Sequence, residues 1–179
     1  MKTRLMIVDD HEVVRMGLRA ALEVEPDFIV VAEASNGKDA IDKARAHQPD
    51  IVLMDVRMDG MDGITACREI RNELAATKVL MLTSFAEEET VVAALLAGAA
   101  GYVLKNVARA RLLEALRSVA RGETDDLTID LGQPHGVSRE DGVAHPRARF
   151  GLGVTFAQVR QHRAARRKIH RRGGIGLGG

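Results

Sequence analysis

The sequence is poor in cysteine and in aromatic residues. It has one cysteine, Cys67, no tryptophan, and only 3% aromatic residues among its 179 positions. A single cysteine excludes a framework of disulfide bonds and is typical of proteins from a reducing compartment. The hydrophobic content of 46% is still sufficient for the core of a soluble globular domain.

Long apolar segments are also absent. The longest, Val91 to Leu104, is too short to cross a bilayer and is followed by Lys105. The apolar run from Leu5 to Val8 is followed at once by acidic residues, so it does not have the form of a signal peptide. We therefore expect a cytoplasmic protein without a membrane helix.

The net charge of +1 conceals two segments of different composition. Residues 1–124 carry 16 basic and 20 acidic side chains, a net charge of −4, whereas residues 125–179 carry 10 and 5, a net charge of +5. The second segment also holds ten of the seventeen glycines and a basic run from Arg163 to Arg172. It shows no sustained hydrophobic period. These differences predict one folded domain over residues 1–122 and a largely disordered basic tail over residues 123–179.

The first segment repeats one pattern five times. Short apolar runs, typical of buried strands, alternate with stretches of helical spacing, and glycines or prolines separate them. The five runs are Leu5–Val8, Phe28–Ala34, Ile51–Met54, Val79–Leu82 and Tyr102–Leu104. This alternation predicts an α/β domain in which helices cover both faces of a doubly wound, five-stranded parallel sheet. In such folds the ligand site lies at the carboxyl ends of the strands.

Polar residues follow four of the five predicted strands. They are Asp9 and Asp10 after the first strand, Asp55 after the third, Thr83 and Ser84 after the fourth, and Lys105 after the fifth. Three carboxylates at one sheet edge would repel one another by about 4 kcal/mol per close pair at an effective dielectric constant of about 20. A hard cation such as Mg²⁺ relieves that repulsion, while lysine and threonine suit a phosphate group. The pattern therefore indicates a metal site that holds a phosphoryl group, with a carboxylate as nucleophile.

Each of these residues also has an ordinary structural explanation. Asp10 would serve as the cap of the first helix, and Thr83 and Lys105 taken singly are typical of solvated loops. Cys67 is predicted to be a core residue, and His11 and His47 to be surface or capping histidines rather than metal ligands. The convergence of the polar set on one sheet edge favours the functional interpretation.

The motifs of this chain resemble the receiver domains of bacterial response regulators over residues 3–122. The matching strings are Ile7–His11, Val52–Met58, Met61–Gly63, Met81–Ser84 and Gly98–Lys105. The helix from Val13 to Leu22, the turn from Ala32 to Gly37 and the Gly-Tyr-Val-Leu-Lys ending are most similar to the NarL/FixJ branch. The resemblance implies a flavodoxin-like (βα)5 fold and a role in a two-component pathway.

The resemblance also implies roles for individual residues. Asp55 is the expected phosphoacceptor, which takes a phosphoryl group from a phosphohistidine on a sensor histidine kinase. Mg²⁺ is expected to bind Asp9, Asp10, Asp55 and the backbone carbonyl of Arg57. Thr83 is the expected switch hydroxyl, Lys105 the cation for the phosphoryl group, and Tyr102 the aromatic residue that turns inward when Thr83 moves. The family further implies a homodimer on phosphorylation.

Two departures from the family pattern are visible. Asp59 stands where the family usually has proline, four residues after the phosphoacceptor. The strings typical of a LuxR-type helix-turn-helix are absent from residues 125–179, although the family implies DNA binding and control of transcription. A frameshift near codon 124 would account for this, and a natural basic tail with weak affinity for nucleic acid is the alternative. A stand-alone receiver that acts through protein contacts also remains open.

An enzyme of the haloacid-dehalogenase type is the competing interpretation, because such phosphatases also combine an aspartate nucleophile with Mg²⁺. They place two aspartates two positions apart at one strand end. Here Asp9 and Asp10 are adjacent, and Asp55 follows a later strand. We therefore expect a regulator rather than an enzyme, with only Mg²⁺-dependent self-phosphorylation and autodephosphorylation.

Overall fold

The computed structural model describes residues 1–84 and 87–123, in which strands and helices alternate. In chain order the elements are β1 (Thr3–Val8), α1 (Glu12–Glu23), β2 (Phe28–Ala34), α2 (Gly37–His47), β3 (Ile51–Asp55), α3 (Gly63–Glu73), β4 (Lys78–Thr83), α4 (Glu88–Ala97), β5 (Gly101–Leu104) and α5 (Arg109–Arg121). Each predicted strand is present and differs from its apolar run by at most two residues. The predicted tail, apart from Glu123, lies outside the described residues.

The strands form one parallel sheet in the order β2-β1-β3-β4-β5. This confirms the predicted doubly wound, five-stranded architecture. The chain runs outward in one direction from β1 to β2 and in the other from β3 to β5, so the strand order reverses between β1 and β3. Such a reversal opens a crevice at the carboxyl ends of the two central strands.

The core lies on both faces of the sheet. All five residues of β3 are buried, as expected for a central strand that helices cover on both sides. On one face α5 packs its apolar stripe against residues of the sheet. The buried residues of this cluster are Leu5, Ile7, Leu22, Phe28, Ile51, Leu53, Leu80, Leu82, Val103, Leu112, Leu113, Ala115, Leu116 and Val119. Cys67 is buried, as predicted.

Local capping explains where several helices begin and end. Asn36 caps α2 by accepting a hydrogen bond from the Asp39 amide at 2.9 Å, and Asp62 caps α3 by accepting one from the Thr65 amide at 2.7 Å. Gly98 and Gly122 end α4 and α5 in the left-handed conformation, with φ of 105° and 81°. Glycine adopts this conformation without the strain that a Cβ atom would cause.

Helical spacing in the sequence places Val92, Leu95 and Leu96 on one face of α4. Leu95 is buried at 4% exposure, but Leu96 is 53% exposed, and Val91, which lies outside that set, is 1% exposed. This helix is apolar on nearly every side, so its spacing does not distinguish the face that meets the sheet. Within residues 1–84 and 87–123, the helices are too short or too polar to span a membrane.

Candidate functional site

The sheet brings the polar residues that the sequence singled out to one edge. In the pairing of β1 with β3, Val8 lies opposite Met54, so Asp9 and Asp55 extend from neighbouring central strands. In the pairing of β4 with β5, Thr83 lies opposite Leu104, immediately before Lys105. Asp55 and Thr83 are the last residues of their strands. The predicted convergence is therefore present in the fold.

Lys105 joins the two buried carboxylates. Its Nζ atom lies 2.7 Å from Asp9 Oδ2 and 2.7 Å from Asp55 Oδ2. Asp9 is fully buried and Asp55 is 4% exposed, whereas the Lys105 side chain keeps 19% of its surface in solvent. One cation therefore serves two carboxylates, and a net negative charge remains at the bottom of the crevice.

Burial and the contact between Lys105 and Asp55 both shift the pKa values of these two residues. Burial raises the pKa of Asp55 above the ordinary value, although the hydrogen bond and charge of Lys105 oppose the shift. Burial lowers the pKa of Lys105, but its hydrogen bonds to Asp55 and Asp9 outweigh that effect, and the net pKa is raised. Lys105 is therefore a permanent positive charge beside a buried carboxylate that costs free energy to ionise.

Asp10 and His11 form the solvent-facing part of the cluster. Nδ1 of His11 lies 2.7 Å from Asp10 Oδ1 and 3.3 Å from Asp9 Oδ1. One ligand atom from each of Asp9, Asp10, His11 and Asp55 fits within a set whose members are all within 4.8 Å of one another. Carboxylate oxygens in such a set suit a hard divalent cation such as Mg²⁺. Asp10 does not cap α1, since the N-cap residue is His11.

Thr83 and Tyr102 lie together beside the acidic cluster. Both are buried, at 3% and 2% exposure. Burial raises the pKa of the Tyr102 hydroxyl, and a hydrogen bond with the Thr83 side chain partly offsets the shift. The structure thus places the buried aromatic ring in contact with Thr83, the residue that was expected to control it.

A pocket of about 460 Å³ opens next to the cluster. Its polar lining comes from the side chains of Asp10, His11, Arg57, Asp59 and Asp62. Asp59, the residue at the usual proline position, therefore lies on the wall of the pocket. Through Asp10 and His11 the pocket reaches the solvent-facing part of the cluster.

Comparison with known proteins assigns the chain to a family. The protein family described as "Response regulator receiver domain" matches residues 5–117. The chain belongs to this family. Receiver domains are regulators rather than classical enzymes. The chain is 44% identical over 120 residues to the transcriptional regulatory protein LiaR of Bacillus subtilis, an alignment that covers 67% of this chain and 57% of LiaR.

Further relatives place this receiver in the NarL/FixJ branch. It is 44% identical over 124 residues to the response regulator protein VraR of Staphylococcus aureus, covering 69% of this chain and 59% of VraR. The solved receiver domain of the putative response regulator NarL from Mycobacterium tuberculosis is 38% identical, with a TM-score of 0.65 over 68% of this chain and 98% of that one. This chain spans less than two thirds of the length of LiaR and VraR.

Two residues that support the receiver site were not found from the sequence. Arg15 on α1 donates from Nη1 to the backbone carbonyl of Asp9 at 2.8 Å and so holds the end of β1 in place. Gly63 lies against the end of β3, where a methyl group would lie 1.9 Å from the backbone oxygen of Asp55. Neither contact follows from hydrophobic spacing, although Gly63 belongs to the Met61–Gly63 motif.

The structure places the remaining predicted residue, Arg57, close to the site. Its backbone amide lies 3.4 Å from Asp55 Oδ1. Its guanidinium group donates to both carboxylate oxygens of Glu87, at 3.0 and 3.1 Å, and so connects the loop after β3 to the start of α4. Both of these side chains are more than half exposed, so the ion pair adds little stability.

Proposed function

We propose that this receiver accepts a phosphoryl group on Asp55 from the phosphohistidine of a sensor histidine kinase. The observation that carries the proposal is the position of Lys105 Nζ, 2.7 Å from both Asp55 and Asp9. An Asp55 oxygen attacks the phosphorus while the P–N bond to the kinase histidine breaks and its electron pair goes to the histidine nitrogen. Lys105 is in place to neutralise the charge that the phosphoryl group brings.

The proposed metal is Mg²⁺, held by Asp9, Asp10, Asp55 and the backbone carbonyl of Arg57. The three carboxylates supply hard oxygen ligands, and Lys105 alone does not balance their charge. When bound, the ion neutralises charge on the phosphoryl oxygens and on the carboxylates. The same residues explain why Asp55 is kept buried, because a desolvated carboxylate interacts more strongly with a nearby cation.

The proposed switch is the buried pair of Thr83 and Tyr102. A phosphoryl group on Asp55 brings close to two negative charges and three acceptor oxygens. The Thr83 hydroxyl is the short donor next to this position, and a new bond to a phosphoryl oxygen competes with its bond to Tyr102. The change biases the surface made by α4 and β5 between two arrangements, and one arrangement binds a partner. We propose that this partner is a second copy of the chain.

For the output we propose control of transcription in the cytoplasm. LiaR is named a transcriptional regulatory protein, but it and VraR extend well beyond the part they share with this chain. The alternative is a stand-alone receiver that acts through protein contacts. One observation favours it, because the alignments with LiaR and VraR cover only 67–69% of this chain. Selective binding of the phosphorylated chain to one promoter fragment over random DNA at physiological salt supports transcription control, and equal binding supports the alternative.

The phosphoacceptor is tested by labelling with acetyl phosphate in the presence of Mg²⁺. Wild-type chain is expected to gain one phosphoryl group by intact mass, and Asp55→Asn none, because an amide cannot form the acyl phosphate. Asp59→Asn is the matched control, since Asp59 lies on the wall of the pocket next to the cluster and undergoes the same chemical change. Labelling of Asp55→Asn at the wild-type level would refute the assignment.

A further inference from the structure

His11 occupies a capping position but does not cap. It is the N-cap residue of α1, and its side chain makes no hydrogen bond to the first turn of that helix. The imidazole instead turns toward the acidic cluster, where Nδ1 lies 2.7 Å from Asp10 Oδ1 and 3.3 Å from Asp9 Oδ1. The side chain is 69% exposed and lines the pocket beside the carboxylates. Helix capping therefore does not explain this orientation.

The separations around Nδ1 are those of neighbouring ligands on one metal ion. In an octahedral site with bonds of about 2.1 Å, adjacent ligand atoms lie about 3.0 Å apart and opposite ones about 4.2 Å apart. The distances from Nδ1 of His11 to Asp10 and Asp9, 2.7 and 3.3 Å, lie on either side of the separation expected for adjacent ligands. One ligand atom of Asp55 lies with those of Asp9, Asp10 and His11 in a set whose members are all within 4.8 Å of one another.

We propose that His11 supplies a nitrogen ligand to the proposed metal site and gives the site a preference for a divalent transition metal, such as Mn²⁺, over Mg²⁺. The inference rests on the metal site of the proposed function. Mg²⁺ is a hard ion that binds oxygen, whereas imidazole favours the first-row transition metals. A site with three carboxylates and one imidazole thus selects between the two classes of ion in a way that an all-oxygen site does not.

A positioning role for His11 makes different predictions. A hydrogen bond from Nδ1 to Asp10 would orient that carboxylate for any ion, and its loss would weaken Mg²⁺ and Mn²⁺ equally. A nitrogen ligand contributes chiefly to the binding of Mn²⁺ and is visible in the spectrum of the bound ion. These two readouts separate the roles without reference to phosphorylation.

The first experiment uses electron spin-echo envelope modulation of the full chain with substoichiometric Mn²⁺. The wild type is expected to show ¹⁴N modulation from a coordinated imidazole, and His11→Ala is expected to lose it. His47→Ala is the matched control, because His47 is an exposed histidine at the end of α2 and should leave the modulation unchanged. Bound Mn²⁺ without ¹⁴N modulation overturns the role of His11 alone, and a lack of bound Mn²⁺ overturns the metal site of the proposed function.

The second experiment measures affinities for the same three proteins, with Mn²⁺ followed by the signal of the free ion and Mg²⁺ by competition. We expect His11→Ala to reduce the affinity for Mn²⁺ on the order of tenfold, the lower end of what loss of one protein group beside a metal costs. The affinity for Mg²⁺ should change by less than about twofold, because Mg²⁺ keeps a water in place of nitrogen. Equal losses for the two ions would show that His11 only positions Asp10 and would overturn the proposal.

Discussion

Replacement of Gly63 by alanine tests whether the beginning of α3 sets the position of Asp55. The added methyl group would lie 1.9 Å from the backbone oxygen of Asp55, 2.9 Å from its carbonyl carbon and 3.0 Å from Met54 Cγ. The first distance falls about 1.5 Å short of ordinary van der Waals contact, and the atom it meets is backbone that cannot rotate away. The end of β3 or the first turn of α3 must therefore move.

The expected cost has two parts. Overpacking against fixed backbone destabilises a domain by about 1–3 kcal/mol, and this contact is severe, so we expect at least about 3 kcal/mol for Gly63→Ala. A displacement of about 1 Å in a reacting group lowers a rate by about 100-fold, so we expect a similar loss in the rate of labelling by acetyl phosphate. Urea unfolding followed by circular dichroism measures the first effect, and intact mass over time measures the second.

Gly17→Ala is a control that is expected to change stability in the opposite direction. Gly17 lies on the exposed side of α1, and a methyl group there would have no other atom within 4 Å. Gly17→Ala should stabilise the protein by about 0.5–1 kcal/mol, because alanine is the better helix former, and should leave labelling unchanged. If Gly63→Ala proved as stable and as fast in labelling as the wild type, the argument that α3 holds Asp55 in place would be refuted.

Three further predictions concern the metal, the nucleophile and the core. Asp10→Ala should lower Mg²⁺ affinity by at least about tenfold, measured by amide shifts during titration, and unchanged affinity would count against the site. Because burial raises the pKa of Asp55, its contribution to stability is present below the unfolded pKa and is lost as pH rises through the folded pKa. Asp55→Asn should therefore raise the urea midpoint at pH 7 and leave it unchanged near pH 3, and a lower midpoint at pH 7 would contradict the shift. Leu116→Ala, at a fully buried position, should cost about 2–5 kcal/mol in urea unfolding, and a loss below about 1 kcal/mol would show that α5 is not part of the core.

The sheet and the residues at its edge were predictable because they depend on patterns along the chain. Buried parallel strands require continuous apolar runs, and loops that follow them hold the polar residues. The ends of the apolar runs therefore place Asp55 and Thr83 correctly at the ends of their strands. The family motifs added roles for Lys105 and Tyr102 that spacing alone does not supply.

Contacts that depend on side-chain orientation and on how a helix packs against a strand were not predictable in this way. The hydrogen bond of Arg15 to the Asp9 carbonyl depends on how α1 lies against β1, and a charged residue on a helix usually faces solvent. The orientation of His11 toward the carboxylates also escaped sequence reasoning, since a histidine next to a helix start is most often at the surface. The buried face of α4 was not predictable from its composition, because an almost wholly apolar helix has no polar face to indicate the side that meets solvent.

The position of Lys105 immediately after β5 has a consequence for the order in which the protein is made. A chain leaves the ribosome N-terminus first, so Asp9 and Asp55 are synthesised well before the lysine that contacts both. A nascent chain that stops short of residue 105 has the acceptor carboxylate but lacks the cation of the proposed site. Competence to receive a signal would then arise only when β5 joins the edge of the sheet, and truncated chains in the cell would not draw phosphoryl groups away from finished ones.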